Sequence, residues 1–131
     1  MKEQTKTWLE YADENLQSAK VLLESELFNP CLQNVQQAVE KMLKAVLAEY
    51  AIKIRKTHSI NELVTILADK DLKVDIGSEE RDLIDSIYLP SKYPVGSVLP
   101  DFEPDEQICR HCVTIAERVR ESVINLLLKD D

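Results

Sequence analysis

Apolar residues recur along most of this chain at the spacing that lines one face of an α-helix. The first stripe is Trp8, Ala12, Leu16, Ala19 and Leu23, flanked by Leu9 and Leu22, and it predicts a helix from Glu3 to Glu26. Asn15 falls on the same stripe. A buried amide needs hydrogen-bond partners, so Asn15 is expected to meet another polar group. Asn29-Pro30 is read as the turn that follows.

A second helix then runs to about residue 52. Phe28, Leu32, Val35, Val39, Met42 and Val46 alternate four- and three-residue steps along one face. Cys31, Ala38 and Ala45 widen that face on one side, and Leu43 and Leu47 widen it on the other. An arc this wide surrounds most of the helix, which is therefore either the centre of the bundle or shared with a second subunit. Gln33, Gln37, Glu40, Lys41 and Lys44 form its polar face.

Beyond it, Ser59-Ile60-Asn61-Glu62 is a capping box that starts a short helix with Ile60, Leu63, Val64 and Leu67 inward. Ser78-Glu79-Glu80 starts a fourth helix, its acids placed where the helix dipole favours them. That helix is expected to bury Leu83, Ile84 and Ile87 and to stop before Pro90. The stretch from Leu89 to Pro104, with four prolines, reads as a long loop. Pro104 suits a first helical position, and the last helix buries Ile108, Cys112, Ile115, Ala116, Val119, Val123, Leu126 and Leu127.

Composition narrows the picture further. A chain of 131 residues has room for one core, and no composition shift divides it, so residues 1–131 are read as one domain. Only 2 glycines are present, too few for the tight turns of a sheet-rich fold. The expected fold is all-α, an antiparallel up-and-down bundle of four or five helices. A formal net charge of −8 argues against attraction of the whole protein to nucleic acid or anionic lipid, and leaves room for a local basic patch. No membrane association and no sequence-specific reading of DNA are expected. No apolar run reaches the ~20 residues of a membrane span, and the first residues lack the apolar stretch of a secretory signal. With 3 cysteines, an odd number for a disulfide framework, a reducing cytoplasm is the expected setting.

The candidate chemistry is sparse. Cys109-Arg110-His111-Cys112 places two thiols and an imidazole within one helical turn, but zinc wants four ligands, and Cys31 and His58 stand far away in sequence. Cys31 and Cys112 sit on apolar stripes, where free cysteine acts as a small hydrophobe. No metal site is expected. Lys53, Arg55, Lys56 and His58 cluster after the second helix, with Lys41 and Lys44 upstream. They form either a phosphate- or RNA-contacting patch or the cationic end that complements a helix dipole. Neither of the 2 histidines lies in a nucleophile motif, and Gly77 and Gly96 form no phosphate loop, so no cofactor is expected.

Three segments together resemble the HEPN domain family of small helical proteins. They are Trp8…Ala12…Asn15-Leu16…Ala19…Leu22-Leu23; then Gln36-Gln37-Ala38-Val39-Glu40-Lys41-Met42-Leu43-Lys44-Ala45-Val46-Leu47 with Lys56-Thr57-His58-Ser59-Ile60; and finally Tyr88…Lys92-Tyr93-Pro94. The resemblance covers essentially the whole chain. It implies an antiparallel bundle that pairs into a homodimer and works on RNA or nucleotides. It also implies a possible small nucleotidyltransferase as partner, in some cases as toxin and antitoxin. Many members of the family are metal-independent ribonucleases that use an arginine followed, after four to six residues, by a histidine. Here His58 would need that arginine among Ala51, Ile52 and Lys53, and His111 among Pro104, Asp105 and Glu106; none is there. Lys92 stands where many relatives carry an arginine before Tyr-Pro.

No catalytic residue is therefore assigned. The expectation is a non-catalytic, homodimeric module that binds nucleotide, RNA or a nucleotidyltransferase, with Lys56, His58, Lys92 and Tyr93 at the ligand. Tyr88 to Tyr93 would act as an aromatic platform held by Pro90 and Pro94. The alternatives are a ribonuclease built on His58 with Arg55 or Lys56, and a purely structural adaptor.

Overall fold

The computed structural model describes residues 1–54, 56–92 and 104–129, and of 89–92 the backbone alone. It has five helices: α1 Glu3–Glu24, α2 Phe28–Glu49, α3 Ile60–Ala68, α4 Ser78–Lys92 and α5 Glu106–Leu127. Among the described residues there is no strand. No helix among them is long and apolar enough to cross a membrane.

The four other helices all pack on α2, and the α1–α2 hairpin is the most extensive contact. Every residue from Met42 to Ala48 is buried within this one chain. Seven consecutive residues span all sides of a helix, so α2 is the central helix, and its arc is covered without a second subunit. The amphipathic stripes of α1, α3 and α5 fall inward as read from the sequence: Ala12, Leu16 and Ala19, then Ile60, Leu63 and Leu67, then Ile115, Val119 and Val123 all lie in the core.

The helix ends explain how the chain manages with so few glycines. Glu26, Ala51 and Asp71 each adopt a left-handed backbone, with φ of 58°, 56° and 60°. At each end the amide that follows the left-handed residue reaches back five residues to close the helix. Leu27 N donates to Leu22 O at 2.9 Å, Ile52 N to Leu47 O at 2.9 Å, and Leu72 N to Leu67 O at 2.9 Å. Both partners are apolar each time, which is the pattern of a Schellman cap with its hydrophobic contact. Glycine normally fills this position, and a Cβ there costs about 1 kcal/mol.

Three boundaries differ from the sequence reading. The first turn is at Ser25–Leu27, and Pro30 lies inside the first turn of α2, where its missing N–H has no intrahelical acceptor to lose. Helix α4 does not stop before Pro90 but continues to Lys92. Proline fixes φ at a helical value, and near the end of a helix its missing amide hydrogen bond and its ring's crowding of the carbonyl four residues back touch only the last turn, so it need not terminate the helix. Tyr88 and Lys92 are thus helical, and only the later part of the expected loop, residues 93–103, lies outside the described residues. Helix α5 starts at Glu106 rather than Pro104, because the Asp105 carboxylate accepts Ile108 N at 2.8 Å as its N-cap.

The capping box of α3 closes through an extra residue. Ser59 Oγ accepts Glu62 N at 3.1 Å. Glu62 turns to the Thr57 hydroxyl at 2.8 Å, and Thr57 Oγ1 accepts Ser59 N at 3.1 Å. Asp85, from α4, then covers the same helix start. Its carboxylate takes Ile60 N at 2.6 Å, Asn61 N at 3.1 Å, Ser59 Oγ at 3.2 Å and Asn61 Nδ2 at 2.9 Å. A carboxylate at a helix N-terminus satisfies free amides and complements the dipole, so this one side chain docks α4 onto α3.

Two substitutions of opposite sign check these devices. Ala51→Gly relieves the left-handed strain and is expected to raise stability by about 0.5–1 kcal/mol. Asp85→Ala leaves the start of α3 uncapped and is expected to lower it by about 2 kcal/mol. Urea unfolding midpoints compared with the unchanged protein read both effects.

Candidate ligand-binding seam

The polar residues of α2 do not share one fate. Gln37 and Lys41 are half-buried, whereas Gln36 (1% exposed), Glu40 (4%) and Lys44 (7%) are out of water. Glu40 and Lys44, on the polar face of the helix by sequence, are therefore buried rather than turned to solvent. At 100° per residue Leu43 and Leu47 project in nearly the same direction as Gln36 and Glu40. Whatever covers those leucines covers the polar pair as well.

Glu40 organises the cluster. Its Oε2 accepts Lys44 Nζ at 2.8 Å and its Oε1 accepts Gln36 Nε2 at 3.1 Å. His58 Nδ1 lies 3.1 Å from the same Oε1. Burial alone would push the Glu40 carboxyl up, but the hydrogen bonds from Lys44, Gln36 and His58 and the Lys44 charge outweigh it and hold the carboxyl below its ordinary value. An ionised carboxylate can only accept, so the imidazole proton facing it sits on Nδ1. Gln36 Nε2 also reaches the His58 carbonyl at 3.2 Å, and Gln37 Nε2 donates to Gln36 Oε1 at 2.7 Å. The linker between α2 and α3 is thus tied at His58 by both main chain and side chain.

The imidazole then stacks on Tyr88 of α4, with centroids 4.6 Å apart and planes 15° from parallel. The His58 side chain remains 51% exposed. On the opposite flank, α1 contributes two rings. Lys44 Nζ lies 5.8 Å from the centroid of Trp8, and Lys41 Nζ lies 5.9 Å from that of Tyr11. Lys41 Nζ also donates to Asn15 Oδ1 at 2.7 Å, and Asn15 Nδ2 to Asn34 Oδ1 at 2.9 Å. Asn15 meets its polar partners as the stripe implied. A continuous seam runs from Tyr11 and Trp8 across α2 to His58 and Tyr88.

Of the four ligand residues expected from sequence, His58 is in this seam and Lys56 is exposed two residues before it. Lys92 closes α4, its side chain outside the described residues, and Tyr93 and Arg55 lie outside them too. The described arginines are engaged elsewhere. Arg81 bonds Asn61 Oδ1 and the Ile76 carbonyl; Arg110 pairs with Glu106, Arg118 with Glu80 and Asp75, and Arg120 with Asp13. A groove between α1 and α5 has its charges matched in the same way, by Lys20–Glu117 at 2.8 Å and Arg120–Asp13 at 2.6 Å.

The Cys109-Arg110-His111-Cys112 run does not converge. Cys109 and Cys112 face the core beside Cys31, while His111 is exposed. Burial pushes the Cys109 and Cys112 thiols up to about 12, and raises that of Cys31 as well. Thiols in that range are protonated at neutral pH and are neither nucleophiles nor ready ligands. Among the described residues no three His, Cys, Asp or Glu side chains form a metal-binding group.

These features define an all-α bundle with a buried central helix and an aromatic-flanked polar seam along it. The sequence profile of the HEPN domain matches residues 5–127, and the chain belongs to that family. A solved structure from Thermus thermophilus shares 24% identity over 96% of this chain and 100% of its own, with a TM-score of 0.77. An archaeal HEPN homologue shares 22% over 97% and 99%, with a TM-score of 0.73. A HEPN domain protein from Thermotoga maritima shares 22% over 92% and 91%, with a TM-score of 0.54. At these identities the likeness establishes the fold alone. Comparison with curated proteins gives no match.

Glu40→Gln tests the seam. Removing the charge leaves the Lys44 ammonium buried without its counterion, and stability at neutral pH is expected to fall by about 3 kcal/mol. Because the folded-state pKa of Glu40 is depressed, its contribution is fully present above the unfolded-state value near 4.5 and is lost as pH falls through the folded-state value. The gap between the two proteins in urea unfolding is therefore expected to narrow from neutral pH to about pH 3.

Proposed function

We propose that this HEPN domain binds a nucleotide or RNA without hydrolysing it, and that the ligand meets the His58–Tyr88 pair with Lys56 alongside. The observation that carries this reading is the stacked, half-exposed imidazole whose orientation is fixed by Glu40. A preoriented aromatic pair beside a lysine is suited to stack a base and meet a phosphate, and it loses little conformational freedom on binding.

Hydrolysis is a different matter. Cleaving a phosphodiester needs an acid–base group together with a cation set at the developing charge. His58 has no arginine at the family's spacing, and the described arginines are all paired at other places. Lys44, close to the imidazole through Glu40, is neutralised by that carboxylate and buried. The cluster is therefore read as a binding surface.

Titration with adenine nucleotides and short single-stranded RNA, followed by Trp8 fluorescence, is expected to give saturable binding that His58→Ala weakens about tenfold. Trp8 sits one lysine and one carboxylate away from His58, which makes it the natural reporter. RNA incubated with the protein in excess chelator is expected to stay intact. Absence of binding would overturn the reading, and cleavage abolished by His58→Ala would replace it with a ribonuclease built on that histidine.

A further inference from the structure

We propose that Tyr11 and Lys41 form a second base-stacking position, so that the ligand of this seam is an unpaired strand of at least two nucleotides rather than a single nucleotide. This rests on the nucleotide-binding reading above and adds to it residues on a different helix.

Tyr11 is 52% exposed. Its neighbour Lys41 differs from Lys44 in one respect that matters. Lys44 is ion-paired to Glu40 and buried, whereas Lys41, among the described residues, is hydrogen-bonded to the Asn15 amide oxygen and to no carboxylate. An amide orients an ammonium without cancelling its charge. Asn15 is in turn held by Asn34, so the lysine is positioned above the ring at a half-buried place, with no carboxylate bonded to it among the described residues. Exposed ring and uncompensated cation are the two contacts that a nucleotide of a single strand offers to satisfy, base face to ring and phosphate to ammonium.

The second position is distinct from the first. Tyr11 lies on α1, and Tyr88 lies on α4, and each of these helices packs on α2. Tyr11 is met by Lys41 and Tyr88 by His58, so each ring offers a face to its own base, as successive nucleotides of an extended strand would present them. A duplex would hide the base faces that both positions need.

The probes are AMP and a single-stranded oligoadenylate of about eight nucleotides, within the span one such surface accommodates. The oligoadenylate is expected to bind at least about tenfold more tightly than AMP. Tyr11→Ala is expected to remove about that factor for the oligoadenylate and to change AMP affinity far less, with Tyr11→Phe restoring the oligoadenylate affinity. Circular dichroism of each variant checks that the exposed position is structurally neutral. Equal affinity of the two probes, or an oligoadenylate affinity indifferent to Tyr11→Ala, would overturn the second position while leaving the first in place. Failure of both probes to bind would overturn the nucleotide-binding reading itself.

Discussion

A carboxylate almost wholly removed from water sits at the centre of this fold, on the helix that every other helix touches. Glu40 cannot stay ionised there without donors, and the structure provides them from three directions: Lys44 one turn along, Gln36 one turn back, and His58 from the linker. The attraction within the Glu40–Lys44 pair does not by itself repay the loss of hydration of two charges; the added hydrogen bonds do. Meeting that demand fixes the linker, and the linker in turn fixes the imidazole. An arrangement needed for electrostatic reasons thus determines which groups the surface presents.

The second requirement is that α4 come back over the linker, so that Tyr88 reaches His58. Asp85 does this by satisfying the open amides at the start of α3, while Arg81 from the same helix bonds Asn61 and the Ile76 carbonyl. Together these contacts fold α3 and α4 into one unit against α2. The left-handed ends at Glu26, Ala51 and Asp71 turn the chain after α1, α2 and α3 without glycine, and their apolar back-contacts compensate part of the strain. The polar seam is therefore held by packing and capping on both flanks and does not depend on loop conformation among the described residues.

Membership of the HEPN family is consistent with the bundle, and the lack of an arginine at the expected spacing before either histidine is a property of this chain's own residues. The described cations near the seam are lysines, Lys44 neutralised, Lys41 held by an amide and Lys56 exposed; the α5 arginines pair with acidic neighbours, and Arg81 of α4 bonds Asn61 and the Ile76 carbonyl.

Much of the architecture was legible in the sequence, because helix stripes and caps are local. The 3.6-residue spacing of Ala12, Leu16 and Ala19 and the Ser59 box act within a few residues of themselves, and those elements lie where the pattern puts them. Where local rules compete, the reading failed: Pro90 was given the power to end a helix that runs two residues past it, and Asp105 outweighed Pro104 as a start signal. The width of the α2 arc foretold a surrounded helix, but only the packing of α1, α3, α4 and α5 decided that one chain supplies all the cover. The site was the least legible part. Glu40 and Lys44 look like any solvated pair four residues apart, and nothing local says that a carboxylate will be buried, because burial depends on which distant segment lies above it. The stacking of His58 on Tyr88 joins residues 30 positions apart, and so it belongs to the tertiary structure alone.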